Sequence, residues 1–130
     1  MMLAPAAAWA GELQVTVANV RNDTGHIFVA VCTQDTFLTE ECPIHATAPA
    51  QPGATLVVVP NVPPGTWAVQ VFHDENDNEV TDMNVMGMPT EGVGFSNNPS
   101  FKFGPPRWSD ALFQLGDEGG RIALRLRYFY

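Results

Sequence analysis

A chain of 130 residues fits one domain better than two, since domains cluster near ~100–150 residues. Only 15% of the residues are charged and the formal net charge is −8, which excludes the basic face that general nucleic-acid binding requires. No apolar run reaches the ~20 residues of a membrane-spanning helix, and 11 Gly with 11 Pro favour turns over long helices.

Residues 1–10 read MMLAPAAAWA, apolar and uncharged. Ala8-Trp9-Ala10 fits the small-x-small pattern of signal-peptidase cleavage, with Gly11 as first mature residue. A basic start is missing, so this segment reads as the tail of a signal peptide, with an ordinary disordered terminus as the competing reading, leaving 11–130 as the single domain. Leu13, Val15 and Val17 alternate with polar or small residues, the mark of a half-buried strand. Asn22 to Gly25 supply turn chemistry. The β-branched and aromatic run 26–32 (HIFVAVC) is then expected to pair back as a hairpin. Residues 33–53 are polar, hold three prolines and read as an irregular crossing.

Strands are expected at 54–60 and 66–72, joined by the Pro-Gly turn at 61–65, with Trp67, Val69 and Val71 on one face. Residues 73–104 are expected to form a long loop region with short elements at most. A short strand at 109–115 puts Ala111 and Phe113 inward, and a turn at 116–120 leads to a last strand, 121–128. There Ile122, Leu124, Leu126 and Tyr128 point in, and Arg121, Arg125 and Arg127 point out. About seven short strands with Gly/Pro turns predict an all-β, antiparallel sandwich. Its expected core contains Val15, Val17, Phe28, Trp67, Val69, Val71, Leu124 and Leu126.

Cys32 and Cys42 flank a short polar loop. A disulfide, the staple of oxidising compartments, is the leading reading. Two free thiols, or a zinc site with His45, are the alternatives; zinc lacks its four ligands. Export and the disulfide together imply a periplasmic or secreted protein.

The chemistry-bearing segment is HDENDNEVTDMN, starting at His73. Asp74, Asn76, Asn78 and Asp82 place oxygens at calcium-loop spacing, Val80 offers a carbonyl, and Glu91 closes the sphere if the chain folds back. Glu79 stands where such a loop wants Gly, and Val85 where it wants a bidentate Glu. A metal-free acidic turn is the competing reading. Six acidic groups lie from Asp74 to Glu91 with no basic neighbour in sequence: no Lys or Arg falls between Arg21 and Lys102. Met83, Met86 and Met88 near His73 form a weaker, copper-type set, although Met more often fills packing gaps.

Catalytic patterns are weak. Ser96 and Ser109 lack a nucleophile elbow, Gly92-Val93-Gly94 lacks the features of a phosphate loop, and no residue is assigned a catalytic role. Phe95, Phe101, Phe103 and Trp108, with Arg125 and Arg127, are the candidate partner surface, since aromatics and Arg are enriched in interfaces. The final strand is also a candidate for edge-to-edge pairing.

Several segments together resemble one family. They are Asn19-Val20-Arg21-Asn22 with Gly25, Val62-Pro63-Pro64-Gly65-Thr66-Trp67-Ala68-Val69, and His73-Asp74-Glu75-Asn76-Asp77-Asn78. Asp82, Asn84, Gly87, Pro89, Glu91-Gly92-Val93-Gly94-Phe95-Ser96-Asn97-Asn98 and Pro105-Pro106-Arg107-Trp108-Ser109-Asp110-Ala111-Leu112-Phe113 complete the set. The pattern resembles DUF2141, an exported bacterial domain of unknown function, over about residues 12–130. The Pro-Pro-Gly-Thr-Trp stretch is also similar to the turn and strand of transthyretin-like and carboxypeptidase-regulatory-like sandwiches. The resemblance implies a small secreted or periplasmic Ig-like sandwich without an assigned activity. The family's Asp-x-Asn-x-Asn motif usually continues with Gly where this chain has Glu79.

The resulting expectation is a non-enzymatic module that binds or scaffolds another envelope protein, with a weak calcium site as its one candidate cofactor. An accessory subunit of a membrane-associated envelope complex is the first alternative. An enzyme of unknown, hydrolase-like class is the second.

Overall fold

The computed structural model describes residues 11–77, 91–100 and 104–129. The strands, in chain order, are β1 (Gly11–Val20), β2 (His26–Cys32), β3 (Ile44–Pro49), β4 (Gly53–Val62), β5 (Gly65–Asp74), β6 (Val93–Phe95), β7 (Phe113–Leu115) and β8 (Gly120–Arg125). One short helix, α1 (Trp108–Ala111), precedes β7. The strands form two sheets, ordered β4-β1-β8 and β3-β2-β5-β6, with β7 pairing the start of β5.

Period-two alternation decides which residues face inward. Leu13, Val15 and Val17 of β1, Val57 and Val59 of β4, and Leu124 meet Ile27, Val29 and Val31 of β2 and Val69 and Val71 of β5 in one buried cluster. Each of these side chains is at most 2% exposed. Leu126, just past β8, joins them, and Trp67 and Phe113 pack against the cluster half-buried.

Five local expectations change. β1 and β2 do not form a hairpin: β1 pairs β4 and β8, while β2 pairs β3 and β5. Both strands have an apolar face, and the 21–25 turn stacks those faces across the core instead of laying the strands side by side. The 33–53 crossing contains β3, whose inward residues Ile44, Ala46 and Ala48 are mostly too small to give a strong signal. β3 is an edge strand, where Pro49 is tolerated.

β8 runs parallel to β1, with Val17 opposite Leu124, so among the described residues every strand pair but this one is antiparallel. Segment 109–115 divides into α1 and β7. Pro105 and Pro106 precede the helix, and Asp110 accepts the Arg107 backbone N–H at 3.1 Å, capping its first turn. Phe28 leaves the core: it lies on the outer face of its sheet, stacked on Phe72 with ring centroids 4.9 Å apart.

Candidate functional site

At one end of the sandwich β5 finishes, the 73–104 region begins, and the 21–25 turn and the C-terminal segment arrive from the other sheet. A polar network ties these pieces together. His73 is fully buried. Its Nε2 lies 2.7 Å from the Thr24 carbonyl and its Nδ1 lies 2.9 Å from the Tyr128 hydroxyl. A carbonyl can only accept, so Nε2 carries a hydrogen. In the neutral ring Nδ1 then accepts from Tyr128, whose oxygen accepts the Arg21 backbone N–H at 3.0 Å. Both ring nitrogens of His73 are thus engaged in hydrogen bonds within the protein. Met83, Met86 and Met88 lie outside the described residues.

The Arg21 side chain continues the network. Its guanidinium sits 4.4 Å over the Tyr128 ring. It donates to both Glu75 carboxylate oxygens, at 3.0 and 2.6 Å, and Asn22 adds a third bond at 2.8 Å. Hydrogen bonding to Arg21 first, then to Asn22, holds the Glu75 carboxyl below its ordinary range, although burial opposes this. Burial, in turn, pushes the Tyr128 hydroxyl up. The acidic loop therefore does have a basic partner. It comes from 54 residues away, beyond the reach of sequence-local charge counting. The Tyr128 ring also fills the space beside Gly92, where an added Cβ would lie 2.5 Å from it.

Of the calcium-loop residues, Asn78, Val80 and Asp82 lie outside the described residues. Asp74 ends β5 opposite His26 and is 2% exposed, whereas Asn76 is exposed. Glu91 is 5% exposed and accepts the Glu75 backbone N–H at 2.8 Å, which commits one carboxylate oxygen to the root of the loop. Among the described residues no three His, Cys, Asp or Glu converge in metal-binding geometry. A shallow concavity of about 280 Å³ opens beside this root, lined by His26, Thr47, Asp74 and Asp77. His26 Nδ1 lies 2.6 Å from the Asp77 carboxylate at its rim.

The outer face of the five-stranded sheet carries a second apolar cluster. Cys32 and Cys42 form a disulfide. Around it pack Ala30, Phe37, Ala68 and Ala111, with Phe28, Phe95 and Trp108 half-buried against them. Phe37 meets Phe95 and Trp108 edge-on at 5.9 and 6.1 Å. Phe95 and Trp108 thus help to cover the disulfide and seat α1; Phe101 and Phe103 lie outside the described residues. Ser96, 1% exposed, donates to the Ala111 carbonyl at 2.5 Å and accepts the Val69 N–H at 3.0 Å. Arg125 and Arg127 are exposed. The edge they lie on is occupied: Val93 and Arg127 exchange backbone bonds of 2.9 and 2.7 Å. The Arg125 N–H donates to Asn98 Oδ1 at 2.9 Å. The final strand is therefore not open for edge-to-edge pairing along this stretch.

Sequence reading missed the Arg21–Glu75 pair and the His73–Tyr128 bond. One signal was present: Arg21 is the lone cation ahead of a long acidic stretch.

A two-sheet β-sandwich, disulfide-bonded on one face and with an acidic loop rooted in a buried polar network, defines the class. The chain belongs to the DUF2141 family, described as an uncharacterized protein conserved in bacteria, whose model matches residues 15–123. No curated protein and no solved structure gives a significant match.

Proposed function

We propose that this protein is a non-enzymatic module of the periplasm or the cell exterior. It binds or scaffolds another envelope protein through the end of the sandwich where the 73–104 region begins. One observation carries the reading. The root of that region is clamped to both sheets by Thr24, His73, Tyr128, Arg21 and Glu75. A loop presented from so rigid a base is the usual platform for recognition. The concavity of His26, Thr47, Asp74 and Asp77 gives it an acidic, hydrogen-bonding surface beside the loop. The Cys32–Cys42 bond supports an oxidising compartment.

The test is site-specific photo-crosslinking in the native host. A photoreactive residue at Asp77 or Thr47 should give a discrete adduct with one envelope protein, and one at Thr16, on the outer face of β1, should not. Fractionation of the same cells should release the protein with the periplasm or the medium. Equal or absent adducts at all three positions, or a cytoplasmic protein with two alkylatable thiols, would overturn the reading.

A further inference from the structure

Backbone conformation singles out one residue. Among the described residues, those other than glycine in the left-handed region are Asn19, Leu38, Asn61, Asp77, Asn97 and Asn98. Asn and Asp enter that region at little cost, because their short polar side chains bond locally; a larger apolar side chain does not. Leu38, at φ of 69°, is the exception. It follows a single helical turn, in which the Phe37 N–H donates to the Thr33 carbonyl at 3.0 Å. A left-handed residue commonly ends such a turn, and glycine is the usual choice.

The fold pins Leu38 in place and gains little burial from it. Its N–H donates to Gln70 Oε1 at 2.7 Å, and Gln70 Nε2 donates to the Thr39 carbonyl at 2.8 Å, so one side-chain amide of β5 holds both residues. The Cys32–Cys42 bond closes the loop at its base. Neighbouring Phe37 turns inward, 8% exposed, against Phe95 and Trp108. Leu38 turns outward and is 44% exposed. The other exposed large hydrophobic residues among those described, Leu56 and Val58, sit on β4 in the opposite sheet, so Leu38 is a single knob. Asp35, Glu40 and Glu41 flank it in the same loop, exposed and, among the described residues, outside every ion pair.

We propose that loop 33–41 is a docking element for a basic partner protein: Leu38 fills an apolar pocket, and Asp35, Glu40 and Glu41 pair with Lys or Arg side chains at the border of that pocket. Charge selects the occupant. The loop carries three carboxylates and no cation, and the net charge of −8 attracts a basic surface at longer range. The same charges repel an anionic lipid surface. Conformation supports the role. Strain kept at an exposed position has a reason when that side chain is used there, and a loop already pinned by Gln70 and the disulfide loses little freedom on binding. This surface is separate from the sandwich end at His73: β2 starts at that end with His26 and reaches loop 33–41 at Cys32.

The experiment places a photoreactive residue at exposed Gln34 of the full, disulfide-bonded chain in its native host. A discrete protein adduct is expected, with Lys or Arg in the cross-linked peptide of the partner. Leu38→Gly should lower its yield roughly tenfold, and Leu38→Met should keep it. Asp35→Asn, Glu40→Gln and Glu41→Gln combined should lower the yield and remove its salt dependence. Purified Leu38→Gly should at the same time melt roughly 3 °C higher than the wild type, because glycine relieves the left-handed strain. A variant that melts higher and has lost its adduct separates a binding role from a folding role. No adduct, an adduct with lipid or with an acidic peptide, a yield indifferent to Leu38→Gly or to the charge substitutions, or a Leu38→Gly protein that melts lower would overturn the proposal.

Discussion

Tyr128 serves three neighbours at once. Its ring lies under the Arg21 guanidinium, and its hydroxyl lies between the Arg21 backbone N–H and buried His73 Nδ1. Tyr128→Phe keeps the ring and strands the nitrogen, so it should destabilise by about 1–3 kcal/mol, the penalty of an unsatisfied buried polar group. A lower urea midpoint with an unchanged far-UV spectrum is the expected readout. The Glu75 carboxyl is held below its ordinary range by Arg21 and then Asn22. A lowered folded-state value gives stability that is present above the unfolded value near ~4.3 and lost as pH falls through the folded value. Glu75→Gln should therefore cost about 1 kcal/mol at neutral pH. Urea titrations of variant and wild type should converge in acid. Tyr128 behaves in the opposite sense. Burial raises its value, so its contribution is present below ~10 and is lost as pH rises through the folded value.

Ser96 shows how one side chain joins elements that are remote in sequence. Its hydroxyl links the Val69 N–H of β5 to the Ala111 carbonyl at the end of α1. Ser96→Ala leaves both groups without this partner at a buried point and should cost about 1–3 kcal/mol. Hydrogen exchange should quicken at the Val69 amide while β1 and β4 stay protected. The same substitution distinguishes a structural serine from a nucleophile, since only the former role links its loss to exchange at β5. The turn at Gly25 is a second such joint. Its φ is 72°, and an added Cβ would lie 2.0 Å from the Asp74 carbonyl. Only glycine lets β2 begin this close to the end of β5.

For the molecule as a whole, cation binding would appear as global stability, because a ligand that binds only the folded state shifts unfolding by mass action. If the loop from Asp74 to Glu91 takes calcium with a dissociation constant on the order of 10⁻⁴–10⁻³ M, a tenfold excess adds roughly 1.4 kcal/mol. That is a rise of about 4–6 °C in melting temperature for a domain of this size. Melting curves in calcium and in chelator should differ by this amount in the wild type and coincide in an Asp74→Asn, Asp82→Asn double variant. Coincident curves in the wild type would make the loop a metal-free cap. Net charge gives this readout a second use: with −8 on the chain, general salt screening alone also stabilises, so magnesium and sodium at equal ionic strength are the necessary controls.

The strands with clean alternation were legible without coordinates. Leu13, Val15 and Val17, or Val69 and Val71, can bury one face only as strands, and the short Gly/Pro-bounded runs imply a sandwich whichever way they pair. The disulfide was legible too, because two cysteines bordering one short loop are held close by the chain itself. What pairs with what was not. The 21–25 turn reads the same whether it makes a hairpin or an arch between sheets, and only the burial of both apolar faces against each other selects the arch. The parallel β1–β8 pairing joins the two ends of the domain and has no local signature. The acidic loop's partner, Arg21, and the Tyr128 hydroxyl that meets His73 lie 54 and 55 residues from their contacts. Alternation acts between residues two apart and is written in the sequence; hydrogen bonds and ion pairs act over ångströms, and only the folded chain decides which side chains come within them.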